Sequence, residues 1–358
     1  MYRLGPGQAT YIYDYSTNPR LLLGLLSGPI LELRDEGIPL VHVQRGWLHG
    51  THLVVTVRPL GATPVDLGRF TTVAGEIAAQ LTASPPDEPD YLTRAAQLAR
   101  WEDVSAPLLP LHPQGFTETR PVATPHGWSE DLLRSRDQLA GLLLEPILAS
   151  AQLPPADVLP HAARILALCA LAHPYGIGPG TLSMRSHTEA ILSATGGTVD
   201  LRASFVERFE RDRAVFLAAL RDPAIAGTGG GEPAATYRWA NALHACWGAA
   251  LAITAAGIVD EDDLLAGQLP EAPMANGIHS PFHHAVRLSG INEWQPYWHV
   301  AYRLIINIVY SSLSCLGITP LQRYYLCFGL SCAADEILGE DWEQRVERIA
   351  RFQAAASV

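Results

Sequence analysis

The segment YWHVAYRLIINIVYSSLSCLG, residues 297–317, has helical periodicity and is apolar around nearly its whole circumference. Such a helix belongs inside a protein, so the chain must fold into a body large enough to enclose it. At about 100° per residue, His299, Arg303, Ile306 and Tyr310 share a narrow sector, while Leu304, Ile305, Ile308, Val309 and Leu313 cover the rest. The polar stripe therefore faces protein or a cavity. Each buried polar group costs roughly 1–3 kcal/mol if left unpartnered, so either a hydrogen-bond network or a ligand must satisfy it.

The remainder of the sequence can supply that body. With 358 residues, 48% of them hydrophobic, the chain can bury one large core or two ordinary ones. After residue 130, segments of helical period follow one another with short turns, among them DVLPHAARILALCALAH, SMRSHTEAILSA and PLQRYYLCFGLSCAADEIL. Residues 1–60 differ. ATYIYDY (9–15), IPLVHV (38–43) and HLVVTVRP (52–59) are short, rich in β-branched and aromatic residues, and bounded by Gly or Pro, as strands are. VDLGRFTTVAGEIAAQL (65–81) turns helical, and residues 83–125 hold eight prolines around one helical piece, YLTRAAQLARW (91–101). The expected fold is α+β, a small N-terminal β-rich section packed on a large, mostly helical body. Its divisions are 1–82 for the β-containing section, 83–130 for a Pro-rich connector and 131–358 for the helical body.

Composition excludes several classes of chemistry. All 25 basic residues are arginine, so no Schiff-base lysine, pyridoxal anchor or P-loop lysine exists in this sequence. GxSxG, HExxH and a strand-linked GxGxxG are also absent. A net charge of −11 argues against a phosphate-backbone binder, so no nucleic acid is expected as a partner. No apolar run is long enough for a membrane span, and MYRLGPGQATYIYDY lacks the layout of a signal peptide, which sets the expectation of a cytoplasmic protein without membrane partners. Five cysteines without CxxC spacing read as reduced core thiols.

Four polar clusters stand out. SMRSHTEA (183–190) follows the glycine-rich HPYGIGPG, and its Ser183, Arg185 and His187 can point from a first helical turn into whatever that turn borders; an N-cap serine beside a core-edge histidine is the competing reading. NGIHSPFHHAVRLSGINEWQPYWH (276–299) gathers His279, Ser280, His283, His284, Trp294, Tyr297, Trp298 and His299. Adjacent His283 and His284 point in different directions and carboxylates at ligand spacing are lacking, so the segment reads as a pocket wall and no metal is expected. His49 and His52 flank a glycine turn in GWLHGTHLVVTVRP, where surface histidines are the plainer reading. The Glu/Arg spacing of SFVERFERDRAVFLAAL suits a solvated helix face.

The order HGTHLVVTVRP, then SMRSHTEAIL, then SSLSCLGITPLQRYYLCFGL resembles the thiopeptide-type bacteriocin biosynthesis domain, a relative of the glutamate-elimination half of class I lantibiotic dehydratases. At this size it resembles the thiopeptide pyridine synthases, over residues from about 40 to 340. Elimination domains tend to carry a His followed by an Asn-Arg-Leu-Gly-like turn, where this sequence reads YSSLSCLG (310–317). No large glutamylation domain stands within the sequence either, and both departures favour the cyclase branch. The resemblance implies a modified precursor peptide as partner and no cofactor. Two dehydroalanines of that peptide would undergo formal [4+2] aza-cycloaddition. Loss of water, and of the leader peptide as carboxamide, would then give a pyridine macrocycle.

Under that reading His299 and Tyr310 transfer protons, Tyr297 and Ser280 position the reacting amide, and Trp294 and Trp298 stack on azoles. Arg185, His187, His283 and Arg303 complete the pocket by contacting the peptide. Arg45 and Arg58, in the β-containing section, are the expected leader contacts, reached by strand addition at a sheet edge. Two rival readings are an elimination enzyme acting on glutamylated Ser or Thr, and a non-catalytic protein that presents the peptide to other enzymes.

Overall fold

The seven residues of HLVVTVR form a strand buried along its entire length, and the first half of the chain is arranged around it. A computed structural model describes residues 4–61, 64–101, 104–195, 200–221, 232–266, 280–290 and 296–356. It has an α+β fold with one four-stranded antiparallel sheet among the described residues. Two compact units are distinguished: Met1–Leu153 with Asp262–Ala272 and Asn307–Gly317, and Pro154–Glu261 with Pro273–Ile306 and Ile318–Val358.

In the first unit the sheet comprises β1 (Gln8–Tyr13), β2 (Leu40–Gly46), β3 (His52–Arg58) and β4 (Thr117–Pro121), in the order β2-β3-β1-β4. Val55 of β3 lies opposite Thr10 of β1 and Val43 of β2, so the continuous Leu-Val-Val run fills the centre of the sheet. Helices α1 (Pro19–Leu25) and α2 (Ser27–Asp35) separate the first two strands. Asn18 starts α1 by accepting a hydrogen bond from the Arg20 N–H, with Pro19 in the first turn, where its missing N–H costs nothing. Helices α3 (Gly68–Ala79), α4 (Glu88–Trp101), α5 (Glu130–Leu142) and α6 (Leu144–Ser150) complete the order in this part of the chain.

A buried ion cluster ties α5 to the sheet. The Arg58 Nε donates to Asp137 Oδ2 at 2.5 Å, and His42 Nε2 lies 3.1 Å from Asp137 Oδ1. Arg58 is 1% exposed. Burial alone would raise the Asp137 carboxyl, but the hydrogen bonds and charges of His42 and Arg58 outweigh it and hold the group below the usual carboxylate range.

The second unit is helical: α7 (Val158–Leu171), α8 (Ile177–Thr195), α9 (Leu201–Arg221), α10 (Glu232–Ala255), α12 (Pro281–Leu288), α14 (Pro320–Leu338) and α15 (Trp342–Ala356). The short helix α11 (Glu261–Ala266) begins in this unit and ends in the first. Helix α13 (Tyr297–Leu313) likewise begins in the second unit and ends in the first. Two glycines let helices approach closely. A Cβ at Gly180 of α8 would lie 2.3 Å from the Ala170 carbonyl oxygen of α7, and one at Gly329 of α14 would lie 2.4 Å from the Phe216 ring of α9. Helix α14 starts with a capping box, in which Thr319 and Gln322 each accept from the other's backbone N–H.

The helix after the glycine-rich turn begins earlier than the sequence reading places it. It runs through Gly178, Pro179 and Gly180, because a proline within the first turn removes no intrahelical hydrogen bond. Ser183 therefore sits beyond the first turn and is not an N-cap. All five cysteines are free thiols, four of them buried. No helix of the described residues is long and apolar enough to cross a membrane.

Replacing Asp137 with Asn should destabilise the protein by about 3–5 kcal/mol in urea unfolding, because Arg58 is left buried without its counter-charge. The carboxyl is depressed in the folded state, so its stabilisation is present above the unfolded value of about 3.9 and lost as pH falls through the folded one. A loss no larger than that of a surface substitution would contradict this role.

Candidate active site

Of the sequence clusters, SMRSHTEA and the described part of 276–299 meet directly in the second unit. Ser280 is the N-cap of α12, extended at φ −62°, ψ 149°, and its Oγ accepts the His283 N–H at 3.1 Å. The His283 ring turns back on that cap, with Nδ1 2.6 Å from Ser280 Oγ, while its Nε2 lies 3.0 Å from Ser186 Oγ on α8. Two hydroxyls from two helices thus hold both nitrogens of one imidazole. Ser280 is 1% exposed, whereas His283 and Ser186 are half-buried. Phe282 anchors the helix beside them, its ring centroid 5.3 Å from that of Trp342 on α15.

The start of α13 joins the turn before α8 through aromatic contacts. His173 packs edge-on to Tyr302 at 4.8 Å and to Trp298 at 5.5 Å, and Trp298 packs edge-on to Tyr175 at 5.2 Å. Its Nδ1 accepts the Tyr175 N–H at 3.2 Å, which puts the neutral ring's proton on Nε2. The Tyr302 hydroxyl donates to the Gly180 carbonyl at 2.8 Å. Burial, with nearby His299 adding to it, pushes His173 down to about 4. His299 is itself lowered by burial, so both imidazoles are held in the neutral form. Tyr297 is exposed and Trp298 half-buried at the same helix start.

Other expected site residues are engaged elsewhere. Arg185 donates to Asp335 Oδ2 at 2.5 Å, and Arg345 of α15 donates to the other oxygen of that carboxylate and to Thr181 Oγ1 at 3.0 Å. That network joins α8, α14 and α15, so the Arg185 guanidinium has a structural partner before any peptide arrives. His187 packs against Tyr324 with ring centroids 4.6 Å apart and planes tilted by 30°, and burial, with the Arg323 charge adding to it, pushes it down to about 3. Arg303 is ion-paired with Glu261. Tyr310 is buried in the part of α13 that belongs to the first unit. Arg58, expected at a leader contact, is the buried partner of Asp137, while Arg45 is half-buried near Asp14 and Cys315. His279 and Trp294 lie outside the described residues.

The sequence does not single out Ser186, the residue of α8 that contacts His283. Its neighbours Arg185 and His187 drew attention by residue type, yet Ser186 makes the contact with the histidine cluster. Among the described residues, no group of three or more His, Cys, Asp or Glu side chains could hold a metal ion. A groove of about 420 Å³ lies in the first unit, lined in part by Gln8, Asp66, Thr71, Thr117 and Thr119; none of the expected site residues lines it.

The burial of His173 has a measurable consequence. Followed by imidazole NMR, it should remain neutral until pH falls to about 4. Because the folded value lies below the unfolded value of about 6.5, this residue's contribution to stability is complete above pH 6.5 and is lost as pH falls toward 4. Half-titration near 6.5 in the folded protein would contradict the buried placement.

No family model and no curated protein matches the sequence. Solved structures do match the fold. One is the pyridine synthase TbtD from thiomuracin biosynthesis, at a TM-score of 0.66 and 21% identity, covering 93% of this chain and 99% of that one. Another is TsrL, at a TM-score of 0.60 and 16% identity, covering 95% of this chain and 97% of that one. The chain thus shares, over nearly its whole length, the fold of a pyridine synthase.

Proposed function

We propose that this chain is a cofactor-independent cyclase of thiopeptide biosynthesis, a pyridine synthase. Its substrate is a leader-bearing ribosomal peptide that already carries azoles and two dehydroalanines. One dehydroalanine, with its neighbouring amide as the iminol, acts as an azadiene, and the other supplies the alkene. Ring closure is followed by loss of water and of the leader as a carboxamide, which aromatises the ring. The observation that carries this reading is the likeness to the thiomuracin pyridine synthase, extending over 99% of that chain.

The side chains in the second unit suit such chemistry. The reaction requires the two ends of one peptide to be brought together and protons to be moved between nitrogen and oxygen. A neutral imidazole can accept a proton at one nitrogen and give one from the other, and burial keeps His299 neutral. His299 is the proposed proton carrier, while Trp298 and Tyr297 offer flat faces on which azoles stack. Ser280 holds the His283 imidazole in place beside the reacting amide. Arg185 and Arg303, ion-paired to Asp335 and Glu261, shape the wall around them. The leader is assigned to the first unit, with Arg45 as its cationic contact.

Mass spectrometry of the purified protein with a leader-bearing, azole-containing bis-dehydroalanine peptide tests this reading. A macrocycle together with a free leader carboxamide is the expected product. Dehydration of glutamylated Ser or Thr without ring closure would point to an elimination enzyme, and leader binding with intact substrate to a presenting protein. Replacing His299 with Phe should lower turnover by about 10²–10⁴ with folding retained, and unchanged turnover would remove His299 from the proton transfers.

A further inference from the structure

The N-cap of α12 accounts for only part of the hydrogen bonding around it. A serine cap needs one acceptor bond, from the backbone N–H of His283 at 3.1 Å. Here the ring of that residue also turns onto the cap oxygen at 2.6 Å, and its far nitrogen spans to a different helix, 3.0 Å from Ser186 Oγ. We propose that Ser186 is a catalytic proton-transfer residue of the cyclase, with His283 the base behind it and Ser280 the group that orients that imidazole. The assignment rests on the cyclase reading and gives it a residue that the sequence does not single out.

The protons can be followed. In the proposed productive tautomer Ser280 Oγ, with its two lone pairs, accepts the His283 N–H with one and the ring Nδ1–H with the other. Nε2 is then the acceptor, and the Ser186 O–H donates to it. Ser280 is 1% exposed while His283 and Ser186 are half-buried, so the buried end of the relay is the cap, and the peptide is assigned to the Ser186 end. A substrate amide gives its N–H proton to Ser186 Oγ as the Ser186 proton passes to Nε2. The resulting imidazolium is held by Ser280 through Nδ1–H. It returns a proton through the same hydroxyl to the amide oxygen, which yields the iminol and restores both side chains with no net change of charge.

A hydroxyl that merely pins α12 to α8 would give the same geometry, so the test must separate chemistry from anchorage. Ser186→Thr and Ser186→Val have the same shape and differ in the hydroxyl. With the wild type forming macrocycle, S186T should keep most of its kcat. S186V should lose about 10²-fold in kcat with KM nearly unchanged, and the solvent deuterium isotope effect on kcat should change with it. His283→Gln should reproduce the loss. Equal kcat and equal isotope effects in S186T and S186V, with the wild type active, would overturn the role of Ser186 while leaving the cyclase reading intact. A wild type that binds leader but forms no macrocycle would overturn both.

Discussion

A carboxylate taken out of water costs several kcal/mol unless cations meet it, and each unit of this protein contains one that two cationic or cation-capable side chains meet. In the first unit Asp137 lies between Arg58 and His42; in the second, Asp335 lies between Arg185 and Arg345. In a chain without lysine both clusters use the planar guanidinium, whose fixed fork can address a carboxylate oxygen and further acceptors together. Arg345 does so with Asp335 and Thr181, and Arg58 with Asp137 and the Gly5 carbonyl at 3.3 Å. Each cluster joins elements distant in sequence, so the elements around it are fixed as a set. The second cluster fixes α8 against α14 and α15, and so fixes the face from which Ser186 extends.

That support engages several residues that have the chemistry of a site. A guanidinium already paired with a buried carboxylate is poorly suited to exchange that partner for a peptide carbonyl, since the carboxylate would be left uncompensated. Arg58, paired with the buried Asp137, is of this kind, while Arg185 and Arg303 are paired with the half-buried Asp335 and Glu261. The second unit also presents hydroxyls, phenols and imidazoles, and burial keeps the His173 and His299 imidazoles neutral. A neutral imidazole beside a hydroxyl can carry a proton between nitrogen and oxygen and return to its starting form, which is what the proposed amide tautomerisation needs.

How much of this could be read from the sequence depends on whether the signal was local. Strands β1, β2 and β3 were legible because β-branched runs between Gly and Pro have few alternatives. Helices α1 and α2 were absorbed into the β-containing section, although Asn18-Pro19 before a leucine run is a helix start, because a short leucine-rich stretch between strands has no distinctive period. Strand β4, TETRP, is a polar strand at the sheet edge, and nothing in its pattern separates it from the proline-rich stretch around it. The polar stripe of α13 was legible from helical geometry, but the division of that helix between two units depends on contacts far along the chain, and it leaves His299 in one unit and Tyr310 in the other.

Ser186 marks the limit more sharply. Adjacent helical residues point about 100° apart, so choosing among Arg185, Ser186 and His187 needs the position of the neighbouring helices, not the residue types. Arg185 faces Asp335 of α14, His187 faces Tyr324 of α14, and Ser186 faces His283 of α12. A serine on a helix usually bonds its own backbone or water, and residue type therefore ranks it below an arginine or a histidine. Its significance arises when a second helix delivers an imidazole whose other nitrogen is already held. The cap at Ser280 provides that condition: by holding Nδ1 it fixes the ring's orientation, and a short helix start becomes the support for a hydroxyl on another helix.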